Sequence, residues 1–132
     1  LKLDEFKYLL RRSQEFYESA VMQFNRGFYG LAAFSLEQSL QLLLKAKLLE
    51  CGAGYPRVHG VRRLLSILSE IIKGEGRDAL VEVLRKYPLE LALLEDVYIT
   101  ARYVPKEFTA EDVRRLRKVV DEVMRVVGGI TC

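Results

Sequence analysis

Apolar positions at the start of the chain recur in alternating steps of three and four residues. They are Leu3, Phe6, Leu10, Tyr17 and Phe24, with the small residues Ser13 and Ala20 in the same register. This spacing lays one stripe along an α-helix. It predicts a first helix from about Leu3 to Asn25, with Arg11, Arg12, Gln14, Glu15 and Glu18 filling much of the rest. Gly27 and Gly30 punctuate its end. The next stretch, about Leu31 to Glu50, is small or apolar at nearly every third or fourth position. Its stripe is Ala32, Ala33, Leu36, Ser39, Leu40, Leu43, Ala46 and Leu49, widened by Leu42 and Leu44. A helix apolar over so much of its circumference is central in a bundle or buried in a dimer interface. Gly52 stops it, as a Gly just past a helix end commonly does.

Gly54-Tyr55-Pro56 reads as a turn. A third helix, about Val61 to Ile72, turns Leu64, Leu65 and Leu68 inward and closes at Gly74 and Gly76. A short helix of about Asp78 to Arg85 breaks before Pro88. Another follows from about Leu89 to Tyr103, since Pro is tolerated in a first helical turn, and Pro105 prevents it from continuing. Thr109 and Asp112 resemble a capping box, with Asp in the place usual for Glu or Gln. They open a last helix of about Ala110 to Val127, faced by Val113, Leu116, Val120 and Val123. No stretch alternates with period two for long enough to make a strand. No repeat, linker or low-complexity segment interrupts the pattern. The reading is one all-α domain over residues 1–132, an antiparallel up-and-down four-helix bundle with an additional short helix.

A chain of 132 residues buries enough surface to fold without a metal or a disulfide. With 21 Lys and Arg against 18 acids, the net charge of +3 is too small to announce nucleic-acid binding by itself. Cys51 and Cys132 are the two cysteines and His59 the one histidine, so zinc-ligand spacing is absent and no metal or cofactor is expected. The cysteines are expected to form no disulfide framework, with a reducing cytoplasm as the simplest compartment. The longest apolar run, Leu42-Leu43-Leu44, is cut by Lys45, far short of the ~20 residues a spanning helix needs. The sequence opens on Leu and shows no basic-then-apolar signal pattern. Scarce Asn with plentiful Arg, Glu and Leu leans towards a thermophilic source.

Motifs for phosphate loops, dinucleotide folds, zinc proteases and serine hydrolases are all missing. No catalytic residue is therefore assigned, and acid pairs such as Glu95-Asp96 and Glu111-Asp112 read as solvated helix faces. His59 has two readings. One is a helix-entry residue bonded to backbone or a neighbour. The other is a phosphate or base contact beside Arg57, Arg62 and Arg63, open to pH because of its near-neutral reference pKa. Lys45, in the middle of the most apolar helix, either snorkels outward or pairs with an acid. Arg102 suits the negative end of its helix, but Arg102 with Tyr103 also suits phosphate and base contacts. The cations Arg114, Arg115, Arg117, Lys118 and Arg125 of the last helix are diluted by Glu111, Asp121 and Glu122, and read as a solvated convex face. The nucleotide- or RNA-binding candidates are thus Arg102, Tyr103, His59, Arg57 and Lys45.

Several pieces form a pattern together. Phe28-Tyr29-Gly30-Leu31-Ala32-Ala33-Phe34 leads into Gln38, Ser39 and Lys45; His59 and Leu64-Leu65 follow; then come Leu94, Tyr98-Ile99 and Ala101-Arg102-Tyr103 near Pro105. This order resembles the HEPN family (higher eukaryotes and prokaryotes nucleotide-binding domain) in its prokaryotic stand-alone form, over nearly the whole chain. Ala33, Phe34, Gln38 and Lys45 match the family's A-F-x-x-x-Q-A-x-E-x-x-x-K stretch, with Ser39 in place of its Ala and Gln41 in place of its Glu. Arg102, Tyr103 and Pro105 resemble its R-Y-P stretch, with Val104 inserted. Active HEPN ribonucleases separate an Arg from a His by four to six residues. After Arg102 those His positions hold Glu107, Phe108 and Thr109, and the nearest Arg before His59 is Arg57, two residues away.

The resemblance implies a helical bundle, homodimerisation, nucleotide binding, and often a small nucleotidyltransferase partner encoded alongside in a toxin–antitoxin pair. Without the ribonuclease motif, the expectation is a non-catalytic homodimeric binding module for nucleotide or RNA. Two alternatives stay open. One is a metal-independent ribonuclease toxin using His59 and Arg102 in an atypical arrangement; the other is a purely structural helical scaffold.

Overall fold

A computed structural model describes residues 2–54, 57–105 and 107–132. Of the turn expected at Gly54-Tyr55-Pro56, only Gly54 lies within the described residues. Among the described residues six helices follow one another: α1 (Lys2–Asn25), α2 (Tyr29–Glu50), α3 (Val61–Ile71), α4 (Glu75–Lys86), α5 (Pro88–Tyr103) and α6 (Ala110–Gly128). The all-α bundle is as the periodicity predicted. Four helices are long, and α3 and α4 are short.

The central position of α2 follows from its composition. It packs against α1, α3, α5 and α6. Leu36, Leu40, Leu44 and Leu48 are at most 1% exposed. They join Leu64, Leu68, Leu91, Leu94, Leu116 and Val120 in one core. Of the two explanations for so apolar a helix, the structure supplies the first: neighbours within the same chain cover most of it, so its apolarity requires no second subunit. Against α1, the small residues Ser13 and Ser39 let the backbones approach. Ser13 Oγ donates to the carbonyl of Ser39 at 2.7 Å, and Ser39 Oγ returns the bond to the carbonyl of Ser13 at 2.8 Å. Both buried hydroxyls are thereby satisfied, which removes the cost of taking them out of water.

The helix ends follow local chemistry. Thr109 and Asp112 make the expected reciprocal capping box, at 2.9 and 3.1 Å. Pro88 sits in the first turn of α5. Two boundaries differ from expectation: α2 begins at Tyr29, so Gly30 lies inside its first turn, and α4 begins at Glu75, so Gly76 lies inside its first turn. Between α3 and α4, Gly74 alone breaks the chain, at φ +76, a conformation that L side chains rarely adopt. Gly76 is instead a close approach, since a Cβ there would meet Ile130 Cγ1 at 3.1 Å.

The cysteine expectation is corrected. Cys51, just past α2, and Cys132 are joined in a disulfide, with Cα atoms 5.1 Å apart. The segment after α6 folds back onto the end of α2, where Lys47 Nζ also donates to the carbonyl of Ile130 and Ile130 is itself buried. Eighty-one residues of sequence separation conceal that neighbourhood. Glu50 lies beside the pair, within 4.8 Å, but the two sulfurs are bonded to one another. Among the described residues no helix is long and apolar enough to cross a membrane.

Candidate functional site

α2 is not apolar all round. Glu37, Gln41 and Lys45 follow one another at four-residue steps, which keeps them near one face, and all three are buried. This polar stripe, with Gln38 beside it, faces α5 and the segment entering α3. Between them opens a cleft of ≈ 390 Å³ lined by Glu37, Gln38, Gln41, His59, Gly60, Glu95 and Tyr98, a volume within the usual range for small-ligand sites of roughly 300–1,000 Å³.

Lys45 does not snorkel. It is 3% exposed and its Nζ lies 2.8 Å from Nδ1 of His59. An ammonium has no acceptor, so when Lys45 is charged Nδ1 must accept, and the ring proton resides on Nε2. Burial lowers the Lys45 pKa from its ordinary value, with the charge of Glu37 opposing. Burial likewise raises the Glu37 carboxyl above the usual range. Hydrogen bonds from Gln41 and Gln38 and the charge of Lys45 act against that rise, while Glu95 adds to it. The two amides hold the carboxylate at 2.8 and 2.7 Å.

Glu95 is not a solvated acid either. Its carboxylate accepts from the backbone N–H of Arg62 at 2.9 Å and from the Arg62 guanidinium at 3.0 and 2.8 Å. Gly60 offers α3 no side-chain cap, so a carboxylate from α5 satisfies the open N-terminal turn in its place. Burial works to raise Glu95, but the Arg62 side-chain and backbone bonds outweigh it and hold the carboxyl below its ordinary value. Gly60 is where the approach is close: a Cβ there would meet Glu95 Oε1 at 3.3 Å.

One turn along α5, the Arg102 guanidinium sits 5.2 Å from the ring centroid of Tyr98 and 4.9 Å from that of Tyr103. The Tyr98 ring also meets Phe34 of α2, centroid to centroid at 6.1 Å. Arg102 is thus held between two aromatic faces, one of which, Tyr98, also lines the cleft. Behind the lining, Lys45 offsets Glu37, and Arg62 pairs with Glu95. The lining itself carries two amides, Gln38 and Gln41, and the exposed cation Arg102 lies against its Tyr98. That division suits a ligand with a neutral polar body and an anionic end.

Of the sequence candidates, His59 lines the cleft, Lys45 backs it, Arg102 packs on the Tyr98 ring that lines it, and Tyr103 is 68% exposed. Arg57 is exposed in the segment before α3 and does not line the cleft. Sequence reasoning missed Glu37 and misread Glu95. For Glu37 a signal existed, because three polar residues at four-residue steps in an otherwise apolar helix mark a buried polar stripe. For Glu95 none did, since Arg62 lies 33 residues away.

A family model described as the HEPN domain matches residues 6–130, nearly the whole chain. The chain belongs to the HEPN family. Membership carries a nucleotide- or RNA-related role in general terms. Among curated proteins no relative matches the HEPN chain.

Proposed function

We propose that this HEPN chain is a non-catalytic binding module for a nucleotide or short RNA segment. It acts as a cytoplasmic homodimer with a small nucleotidyltransferase partner, in the manner of a toxin–antitoxin pair. The observation that carries the binding reading is the cleft flanked by His59 and Tyr98, with Arg102 packed on the Tyr98 ring. A base edge finds the amides of Gln38 and Gln41 and the Nε2 donor of His59, while a phosphate finds the planar donor fork of Arg102. The apolar side chains that α5 leaves exposed, Leu89, Ile99 and Tyr103, support the dimer reading in place of α2. Intracellular disulfides are common in hyperthermophiles, which reconciles the Cys51–Cys132 bond with a cytoplasmic location.

Titration of labelled adenine nucleotide and of short single-stranded RNA against wild type and Arg102→Ala tests the site. Losing a bidentate phosphate contact should weaken binding roughly ten- to a hundredfold, about 1.5–3 kcal/mol. Unchanged affinity in that variant, with binding lost when Arg114, Arg117 and Lys118 are neutralised together, would move the site to α6. Sedimentation at micromolar concentration should return twice the chain mass, and a monomer would remove the dimer from the proposal. Co-purification with an adjacently encoded nucleotidyltransferase tests the partner.

A second reading, a metal-independent ribonuclease, is supported by one observation: His59 and Tyr98 line the same cleft, and Arg102 packs on the Tyr98 ring. General acid–base cleavage needs a proton carrier beside the attacked phosphate, and the Arg-x4-6-His spacing is missing here. Purified protein is expected to show no turnover of single-stranded RNA. Cleavage abolished by His59→Ala would establish the second reading instead.

A further inference from the structure

A second cavity, of ≈ 280 Å³, lies between α1, α2 and α6 and shares no lining residue with the cleft. Ala20, Leu36 and Val113, all nearly fully buried, are joined by Val21 and Phe24 to give it an apolar lining. Its origin is visible in the α1 stripe, where Ala20 stands between Tyr17 and Phe24 and leaves room that a larger residue would fill. Among the described residues, the only charged side chains on the lining are Arg114 and Arg117 of α6.

Both arginines are propped against aromatic rings of α1. Arg114 lies 5.5 Å from the Phe24 centroid, and Arg117 lies 5.5 Å from that of Tyr17. Arg117 Nε donates to the Tyr17 hydroxyl at 3.0 Å, and that hydroxyl donates in turn to Asp121. Their ion pairs are long: 3.6 Å from Arg114 to Glu111 and 3.9 Å from Arg117 to Asp121, with the two arginines 62% and 45% exposed. Donors on both guanidiniums therefore remain for an anion at the mouth. The sequence alone presents these cations as a solvated convex face, but two of them rim a concavity.

We propose that this cavity binds a small organic acid, an apolar aliphatic or aryl body with one carboxylate. The body fills the space beside Ala20, Leu36 and Val113, and the carboxylate is held by Arg114 and Arg117. The volume of ≈ 280 Å³ falls just below the roughly 300 Å³ at which sites for drug-sized ligands begin, so the ligand is small. Among the described residues, the lining below the rim has only apolar side chains, which suit neither a sugar nor a base. The proposal is independent of the cleft.

Octanoate, 1-octanol and adenosine monophosphate are the probes, read by methyl-resolved NMR of the full chain. Octanoate should shift the methyls of Val21, Leu36 and Val113 saturably, and octanol should bind at least tenfold more weakly. Arg114→Gln with Arg117→Gln, both at the surface, should erase that difference while the fold persists. Val21→Trp, which crowds the mouth, should abolish octanoate binding with the helical circular dichroism unchanged. The proposal is overturned if octanoate leaves those methyls unmoved, if octanol binds as tightly, or if the nucleotide produces the same shifts.

Discussion

Lys45 Nζ lies 2.8 Å from His59 Nδ1, tying the middle of α2 to the segment that enters α3. The contact makes the sole histidine a single-tautomer donor and gives a buried amine a partner. Replacing Lys45 by Met keeps the apolar stem but removes the donor. Nitrogen-15 spectra of the ring should report the Nε2–H form in the wild type and a mixture of tautomers in Lys45→Met. The variant should lose about 1 kcal/mol of stability, because its volume is nearly conserved. An unchanged ring spectrum would mean that Lys45 does not set the tautomer.

Glu37 should make stability depend on pH in a definite direction. Burial raises its carboxyl above the ordinary 4.5 in the folded chain, while the unfolded chain titrates normally. Between those values the native state binds more protons, so stability rises as pH falls through the window just above 4.5 and is lost as pH rises through the raised value. The urea midpoint of wild type should therefore gain on that of Glu37→Gln as the pH is lowered from neutral towards 4.5. A constant difference between the two proteins would show that Glu37 titrates normally.

Reducing the Cys51–Cys132 bond should destabilise the protein without unfolding it at ambient temperature. A loop-closure argument gives about 4.5 kcal/mol for a bridge of this span, and measured effects are more often about 2–4 kcal/mol. Guanidinium titrations with and without reductant, and of Cys51→Ser with Cys132→Ser, measure it. Lys47 and Ile130 should keep the last residues docked in the reduced protein, so the spectrum of α6 should not change.

The Ser13–Ser39 seam predicts a contrast between two substitutions. Ser39→Ala removes one buried bond and leaves the carbonyl of Ser13 with its helical partner, costing about 1 kcal/mol. Ser39→Leu must push α1 away from α2 and should cost about 3 kcal/mol or prevent folding. Thermal melts of both variants decide it, and equal effects would show that close approach is not required there.

The helices were legible because each rests on local interactions. Thr109 and Asp112 are three residues apart, and the α6 start they specify is the one observed. The stripe of α1 and the breadth of apolar α2 likewise announced a bundle, but left open whether α2 lies at its centre or in a dimer interface. Gly74 and Gly76 show the limit of local reading. Both looked like stops, yet only Gly74 takes positive φ, and Gly76 is where Ile130 approaches.

By itself the sequence determined the all-α class and the approximate span of each helix, since periodicity and capping act over one or two turns of chain, and the order of its motifs carried the resemblance to the HEPN family. Only the tertiary structure decided which side chains meet. The angle and offset at which helices cross brought Lys45 to His59, Arg62 to Glu95, Arg117 to Tyr17 and Cys51 to Cys132. It also turned two α6 arginines from a convex face into the rim of a cavity. These pairings span 14 to 100 residues of chain. Helix packing is set by many weak contacts acting together, and no short window of sequence contains them.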